Sequence, residues 1–314
     1  MPLAFSTLGC PGDSLAQVIA TAHASGATGL ELRAADGEFV FPGMTAAARA
    51  EVSAELAAAG LTVLSLASYV KVCAPLPATL PADDAGASAK SGSNVAVASL
   101  GSGTNDPMLA ELLAAVELAA DLSAGNGTLG WAGAQVRVFP GADLVPCVPG
   151  QEPSAEMMAA DLLGARRLNA AARLASERGV TMLLETHDSH PRGSDVARIL
   201  AHVDADAPVK VIWDLMHPWR HDEAPGCTAE LLADSLAYAQ YKDGFRNAEG
   251  STVTLTLPGE GALPLAEMQL LAAGIAARQG IADPWVSLEW ERAWHPELPP
   301  VADALAALKA VLLP

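Results

Sequence analysis

Cysteine is scarce in this chain, and the few cysteines form no recognisable pattern. Four cysteines occur among 314 residues, with no CxxC pair and no closely spaced framework. A zinc ribbon or a small disulfide scaffold would need such spacing, so neither class is expected. The cysteine usage therefore predicts a protein of a reducing compartment, the cytoplasm. The four residues are Cys10, Cys73, Cys147 and Cys227.

Basic residues are also few, with 18 lysines and arginines against 36 aspartates and glutamates and a formal net charge of −18 at pH 7. A field of that sign repels nucleic-acid backbones, so no nucleic-acid partner is expected. No apolar run approaches the roughly 18 residues that indicate a membrane-spanning helix. The first residues, MPLAFSTLGCPGDS, lack a basic start and interrupt their apolar run at Gly9 and Pro11, unlike a signal peptide. We expect no membrane partner either.

The sequence does contain a regular alternation of short β-branched runs with helical stretches rich in alanine and leucine. Eight such pairs can be counted, a pattern typical of parallel strands joined by crossover helices. The strands are predicted at Leu3 to Ser6, Thr28 to Arg33, Thr62 to Ala67, Gln135 to Phe139, Thr181 to Thr186, Val209 to Asp214, Tyr238 to Lys242 and Trp285 to Trp290. The helices are predicted to begin near Asp13, Thr45, Asp106, Ser154, Ser194, Thr228, Pro264 and Pro300.

This count predicts an α/β fold, a (β/α)8 TIM barrel, as a single domain over residues 1–314. Such a barrel typically needs about 250 residues plus insertions. The longest insertion follows the third strand, where a stretch rich in proline, alanine, glycine and serine runs between Val72 and Asn105. A loop at that position lies over the barrel mouth, so it is a candidate lid, with a poorly ordered insertion as the alternative. Residues 251–257 (STVTLTL) could form a small extra strand above the barrel.

Polar residues at the C-terminal ends of barrel strands face the active site in this architecture. Three carboxylates occupy such positions after apolar runs: Glu185 on the fifth strand, Asp214 on the sixth and Glu289 on the eighth. A carboxylate inside an apolar strand is destabilising unless it is paired or binds a cation. Since the three would repel one another, a bound divalent cation is favoured. The alternative is that each pairs with a nearby base such as Arg137 or Lys242.

At these residues the chain resembles the xylose-isomerase-like sugar isomerase/epimerase superfamily, which includes ketose 3-epimerases, inosose dehydratases and, more distantly, endonuclease IV. The resemblance runs from STLGCP at the first strand through LLETHD, VIWDLMHP and YAQYKD to EWERAWHPEL at the last. It implies metal ligands at Glu185, Asp214, Gln240 and Glu289. Gln240 departs from the family pattern, which has histidine at this position.

The implied ligands are all oxygen donors, because the amide oxygen of Gln240 can also bind a hard cation. One divalent ion is therefore expected, with Mn²⁺ favoured and Mg²⁺ or Co²⁺ as alternatives. A different interpretation is that Gln240 only hydrogen-bonds a neighbour. The resemblance also implies substrate contacts for His217 and Arg246. His187 and Glu31 are strand-end residues that could hydrogen-bond sugar hydroxyls, or could be structural.

The resemblance implies an enzyme that acts on a keto sugar or related polyol, a small-molecule substrate. The hypothesis is proton abstraction next to a carbonyl through a metal-stabilised enediolate, with Glu185 and Glu289 removing and returning the proton. A lyase of the same superfamily, inosose-dehydratase-like or C-glycoside-cleaving, is the alternative, followed by a non-catalytic sugar-binding subunit. Endonuclease chemistry is disfavoured, because the scattered histidines do not supply a multi-zinc cluster. The apolar helices at 155–178 and 301–313 are compatible with a homo-oligomer or a partner subunit.

Overall fold

The architecture is an alternation of strands and helices in a computed structural model, which describes residues 1–76, 106–130, 133–247 and 252–312. The strands are β1 (Leu3–Ser6), β2 (Gly29–Arg33), β3 (Thr62–Lys71), β4 (Ala134–Phe139), β5 (Val180–Glu185), β6 (Val209–Asp214), β7 (Leu236–Tyr241), β8 (Asp243–Arg246), β9 (Val253–Thr256) and β10 (Val286–Leu288). The helices are α1 (Leu15–Ser25), α2 (Ala46–Ala58), α3 (Pro107–Leu122), α4 (Ala155–Arg178), α5 (Gly193–Leu200), α6 (Met216–Arg220), α7 (Pro225–Leu231), α8 (Leu265–Arg278) and α9 (Val301–Leu312).

Eight of the strands form a closed barrel in which every pair of neighbours is parallel. The order around the barrel follows the chain from β1 to β7, and β10 then closes it against β1. The predicted TIM barrel is thereby confirmed, and the eighth predicted strand is β10. The predicted extra strand is confirmed as β9, which pairs antiparallel with β8. This two-stranded hairpin is separate from the barrel.

The helix starts are largely where capping residues predicted them. The side chains of Thr45, Asp106 and Ser154 each accept a hydrogen bond from a backbone amide in the first turn of their helix. At the other end of α1 and α4, Gly26 and Gly179 adopt positive φ angles of 72° and 65°, which glycine tolerates at a helix C-terminus. Local sequence chemistry therefore determines most of these boundaries.

Two predicted helix starts are displaced along the chain. The first helix is capped by Ser14 rather than Asp13, since Ser14 forms a reciprocal capping box with Gln17. Thr228 does not begin a helix but lies inside α7, which starts three residues earlier at Pro225. Proline suits the first helical position because its missing amide would be unpaired there. The hydroxyl of Thr228 instead donates to Glu223 at 2.6 Å.

The barrel interior has an apolar floor and a polar upper part. Ala4, Leu64, Leu183 and Ile212 pack with the ring of Tyr238 in a cluster inside the barrel, separate from the larger core between strands and helices. Layers of inward side chains of this kind fill TIM barrels and leave no pore. The functional end is therefore the C-terminal one, above this floor. In the described ranges, no helix combines the length and apolarity needed to cross a bilayer.

The third strand is longer than predicted, because β3 continues past Ala67 to Lys71, and the insertion follows it at Val72. Residues 77–105, which carry most of the candidate lid, lie outside the described part of the chain. Both flanks of that segment are held by Arg167 on α4. Its guanidinium contacts Asp106 through two hydrogen bonds of 2.8 and 3.0 Å. It also donates to the carbonyls of Val72 and Ala74, at 2.8 and 2.6 Å.

Asp243, the first residue of β8, organises the turn before α8. Its buried carboxylate accepts hydrogen bonds from four backbone amides, all within 3.1 Å.

We expect Asp243→Ala to lower the free energy of unfolding by about 2–3 kcal/mol, because buried amides lose a charged acceptor. Urea denaturation measures this, with Asp243→Asn as a matched variant that keeps one acceptor oxygen and loses less stability. An unchanged midpoint in the alanine variant would contradict the role given to this carboxylate. The amides belong to Gly244, Gly259, Gly261 and Leu263.

Candidate functional site

Three carboxylates meet above the barrel floor. Glu185 is the last residue of β5, Asp214 is the last residue of β6, and Glu289 directly follows β10. One oxygen from each lies within 4.8 Å of the others, and all three side chains are buried. The parallel barrel causes this convergence, because the C-terminal ends of its strands all reach the same end of the fold. We call these three residues the carboxylate cluster.

Two basic side chains also enter this cluster. Nη1 of Arg137, on β4, lies 3.4 Å from Glu185 Oε2 and 3.3 Å from Glu289 Oε1. Nζ of Lys242 lies 2.7 Å from Asp214 Oδ2, 2.5 Å from Glu289 Oε2 and 2.6 Å from Glu291 Oε1. The pairing that the sequence left open as an alternative to a cation is therefore present in this structure.

The cluster's charges are nevertheless unbalanced. Four carboxylates, counting Glu291 at the edge, face the two cations Arg137 and Lys242, which leaves an excess of two negative charges when all are ionised.

Both oxygens of Glu185 and the amide oxygen of Gln240 are buried and accept no hydrogen bond from the residues that the structure describes. Buried acceptors without donors are unusual in folded proteins and are typical of sites that hold an ion.

Burial and charge make the three carboxylates unequal. Burial, reinforced by Glu289 and Asp214, raises the pKa of Glu185 well above its usual value despite the opposing charge of Arg137. Burial also raises the pKa of Asp214 to about 7, against the attraction of Lys242. At Glu289 the two cations, Lys242 before Arg137, outweigh burial and lower the pKa to about 2. The three neighbouring carboxylates therefore differ in their affinity for a proton.

The residues after Asp214 are arranged by its own carboxylate. Oδ1 accepts the backbone amide of Met216 at 2.9 Å, at the start of α6. This places His217 with Nε2 3.4 Å from Asp214 Oδ2. Burial, together with the neighbouring His187, lowers the pKa of His217 well below its usual value, so the ring is neutral at pH 7. Glu185, His187 and His217 form a second group whose ligand atoms lie within 4.8 Å of one another.

His187 is held at the cavity by a tight turn after β5. Its backbone pairs in both directions with that of His190, at 3.1 and 2.9 Å, and Asp188 between them has a positive φ of 48°. The His190 ring lies 2.8 Å from Ser189 Oγ through Nδ1 and 2.6 Å from Asp161 Oδ1 through Nε2. All three of these supporting side chains are buried. No sequence signal pointed to these contacts, because Asp161 lies on α4, far from the turn along the chain.

These groups open into a cavity of about 410 Å³ at the C-terminal end of the barrel. That volume suits a small molecule, since ligand pockets span about 300–1,000 Å³. The aromatic rings of Tyr69 and Trp294 form part of its wall, and both keep exposed surface. Arg137, which the sequence offered only as a possible partner of the carboxylates, is also part of this wall. Lining residues include Tyr69, Arg137, His187, His217, Glu289 and Trp294.

Five of the predicted site residues are not part of this lining. Glu185 and Asp214 are fully buried in the carboxylate cluster. Gln240 and Glu31 lie inside the barrel, both fully buried, with Gln240 Nε2 donating to Glu31 Oε2 at 2.8 Å. Arg246 lies on β8, where its guanidinium stacks over Trp219 and pairs with Asp222 at 2.6 Å. The substrate contacts of Glu31 and Arg246 stay predictions. The hydrogen bond to Glu31 and the ring and ion-pair contacts of Arg246 give each residue a structural role.

Comparisons with known proteins agree with the fold. A family model described as xylose isomerase-like TIM barrel matches residues 19–311. No curated protein sequence matches the chain significantly. Solved structures share the fold at identities too low to carry a function.

Three of those structures illustrate the range of the fold. A probable 3-DHS dehydratase, AsbF from Bacillus anthracis, superposes with a TM-score of 0.61 at 15% identity, covering 99% of this chain and 98% of that one. D-psicose 3-epimerase from Clostridium cellulolyticum H10, solved with D-tagatose, gives 0.64 at 14%, covering 99% and 96%. The IOLI protein, solved with a zinc atom, gives 0.66 at 16%, covering 99% and 96%.

Proposed function

We propose that the chain, which belongs to the xylose isomerase-like TIM barrel family, isomerises or epimerises a keto sugar or related polyol with one divalent metal ion. The observation that carries this proposal is that Glu185 and Glu289 bring their carboxylates together, within 4.8 Å of each other and against the same nitrogen of Arg137. Their oxygens lie 3.4 and 3.3 Å from the same guanidinium nitrogen. Two carboxylates around one small space are what a proton transfer between the two faces of a carbon requires.

The described side chains fit a metal ion. Glu185, Asp214 and Glu289 offer one oxygen each within 4.8 Å of one another. The buried amide oxygen of Gln240, which accepts no hydrogen bond from a described residue, would supply a fourth oxygen ligand. Such a set suits Mn²⁺ or Mg²⁺, with Co²⁺ as a further candidate. When bound, the ion would polarise the substrate's oxygens and stabilise negative charge that develops beside the carbonyl.

The protein's own groups would carry the proton. One of Glu185 and Glu289 removes the proton next to the carbonyl, and the other returns it, on the opposite face for an epimerase. Arg137 contacts both carboxylates and can hold them at a constant separation while either one is neutral. Because Glu289 also contacts Lys242 at 2.5 Å, its carboxylate has the more restricted position.

His187, His217 and Trp294 would hold the sugar. Both histidines line the cavity, and Trp294 offers a flat apolar face to the hydrophobic side of a sugar ring. His217, neutral and buried, donates from one ring nitrogen and accepts through the other.

We further propose that the substrate is not phosphorylated and that the enzyme works in the cytoplasm. Assembly into a homo-oligomer or with a partner subunit belongs to the same proposal.

A lyase is the second candidate, because its first half-reaction is the same proton abstraction. It needs an additional acid for the leaving group. His187 could provide one, since it lines the cavity and keeps 27% of its side chain exposed. A positioned imidazole is a common general acid in enzymes.

Incubation with keto sugars in D₂O tests the proposed reaction. We expect deuterium to be incorporated next to the carbonyl while the carbon skeleton remains intact, because the abstracted proton exchanges with solvent. Mass spectrometry and proton NMR detect both features. An eliminated fragment would instead establish the lyase, and sugar binding without exchange would indicate a non-catalytic subunit.

A further inference from the structure

A buried carboxylate beneath the cluster has no part in the proposed reaction. Glu31, on β2, lies inside the barrel without exposed surface. It accepts hydrogen bonds from Tyr238 Oη at 2.8 Å, Gln240 Nε2 at 2.8 Å, Ser65 Oγ at 3.3 Å and Ser287 Oγ. Each of these donors favours the ionised carboxylate, although burial raises the pKa of Glu31. The four hydrogen-bond donors described around Glu31 all come from other barrel strands.

This carboxylate determines which way the amide of Gln240 points. Glu31 Oε2 accepts from Gln240 Nε2 at 2.8 Å and also from Tyr238 Oη and Ser65 Oγ, so this oxygen acts as an acceptor and the amide presents its nitrogen to it. Rotating the amide by half a turn would bring Oε1 against Glu31 Oε2, with two acceptors facing each other. The observed orientation is thus the one that avoids electrostatic repulsion inside the barrel.

The amide oxygen of Gln240, Oε1, therefore points away from the Glu31 carboxylate. Gln240 Oε1 is buried and accepts no hydrogen bond from any described residue. Gln240 is the register partner of Asp214 on the adjacent strand β6 and of Ser287 on the other adjacent strand, β10, two residues before Glu289. The free oxygen therefore belongs to a strand whose two neighbours lead to cluster carboxylates.

We propose that Glu31 is a positioning residue that orients Gln240 so that its amide oxygen, rather than its nitrogen, faces the carboxylate cluster. This inference rests on the metal site of the proposed function. The consequence is a site with oxygen ligands only, which favours hard cations such as Mn²⁺ over zinc. An inverted amide would instead direct two N–H bonds towards the cation and exclude it.

Manganese binding by the whole chain tests this role without any assay of turnover. Equilibrium dialysis with metal analysis gives the affinity, and electron paramagnetic resonance reports the ligand field of bound Mn²⁺. We expect Glu31→Gln to weaken Mn²⁺ binding by about 10–100-fold, the range typical for residues that orient a ligand. The new amide can accept from Gln240 or donate to it, so it no longer selects one orientation.

A residue swap separates orientation from general disruption. In the double variant Glu31→Gln, Gln240→Glu, the new amide at 31 donates to the new carboxylate at 240, which again presents an oxygen to the cluster. We expect this variant to regain most of the Mn²⁺ affinity that the single variant loses. The matched control is Ser65→Ala, which removes another donor to Glu31 without touching Gln240 and should leave Mn²⁺ binding unchanged.

The outcomes distinguish this inference from the proposed function. Wild-type protein that binds no Mn²⁺ would remove the metal from the proposed reaction. Wild-type binding that persists unchanged in Glu31→Gln would overturn the positioning role and leave the metal site in place. Should the single variant fail to fold, the double variant decides: Mn²⁺ binding there supports the role, and a folded double variant without binding contradicts it.

Discussion

Replacing Glu185 or Glu289 with glutamine is expected to lower kcat on a keto sugar by about 10²–10⁴-fold, the usual contribution of a positioned acid or base. Glutamine keeps the size and shape of each side chain but can neither remove nor return a proton. Both residues contact Arg137 Nη1, at 3.4 and 3.3 Å, so each substitution removes one side of the arrangement. Steady-state kinetics on the isolated variants measures the loss.

The two variants also differ in what they retain. With one glutamate left, exchange of the substrate proton with D₂O can continue on a single face of the carbon, while conversion to the epimer stops. Glu177→Gln, on the surface of α4, is the matched isosteric control and should keep full activity. Conversion at the wild-type rate in either site variant would contradict a mechanism that uses both carboxylates.

Replacing Arg167 with methionine is expected to lower the free energy of unfolding by about 3–5 kcal/mol, the cost typical of leaving a buried charge without its partner. Asp106 would lose two hydrogen bonds, and the carbonyls of Val72 and Ala74 would lose their donor. Burial alone would raise the pKa of Asp106, but Arg167 lowers it below its usual value. The carboxylate is therefore charged at pH 7, where urea denaturation would be followed.

The matched control lies on the same helix. Arg173 pairs with Glu177 at 2.6 Å, and both side chains are largely exposed to solvent. Because exposed pairs contribute about 0–1 kcal/mol, Arg173→Met should change the unfolding free energy little. Equal losses in the two variants would show that Arg167 matters through its volume or its helix rather than through the buried contacts.

Much of the fold could be predicted from local patterns. The alternation of strand and helix signals predicted eight units, and caps such as Asp106 and Ser154 start helices where their side chains can accept backbone amides. The start near Thr228 was wrong, because Pro225 competes as a helix start and the threonine hydroxyl has a partner in Glu223. Local signals conflict there, and sequence alone does not rank them.

The sequence by itself determined the barrel and the strand ends at which Glu185, Asp214 and Glu289 stand, because strand periodicity and strand ends are local properties. Only the tertiary structure decided what surrounds them. Arg137 on β4 and Lys242 at the end of β7 were candidate partners from the sequence, but no spacing along the chain determines that both enter one cluster with the three carboxylates. The contact between Glu31 and Gln240 joins residues 209 positions apart. Such pairings depend on the closure of the barrel, which brings distant strands to one axis.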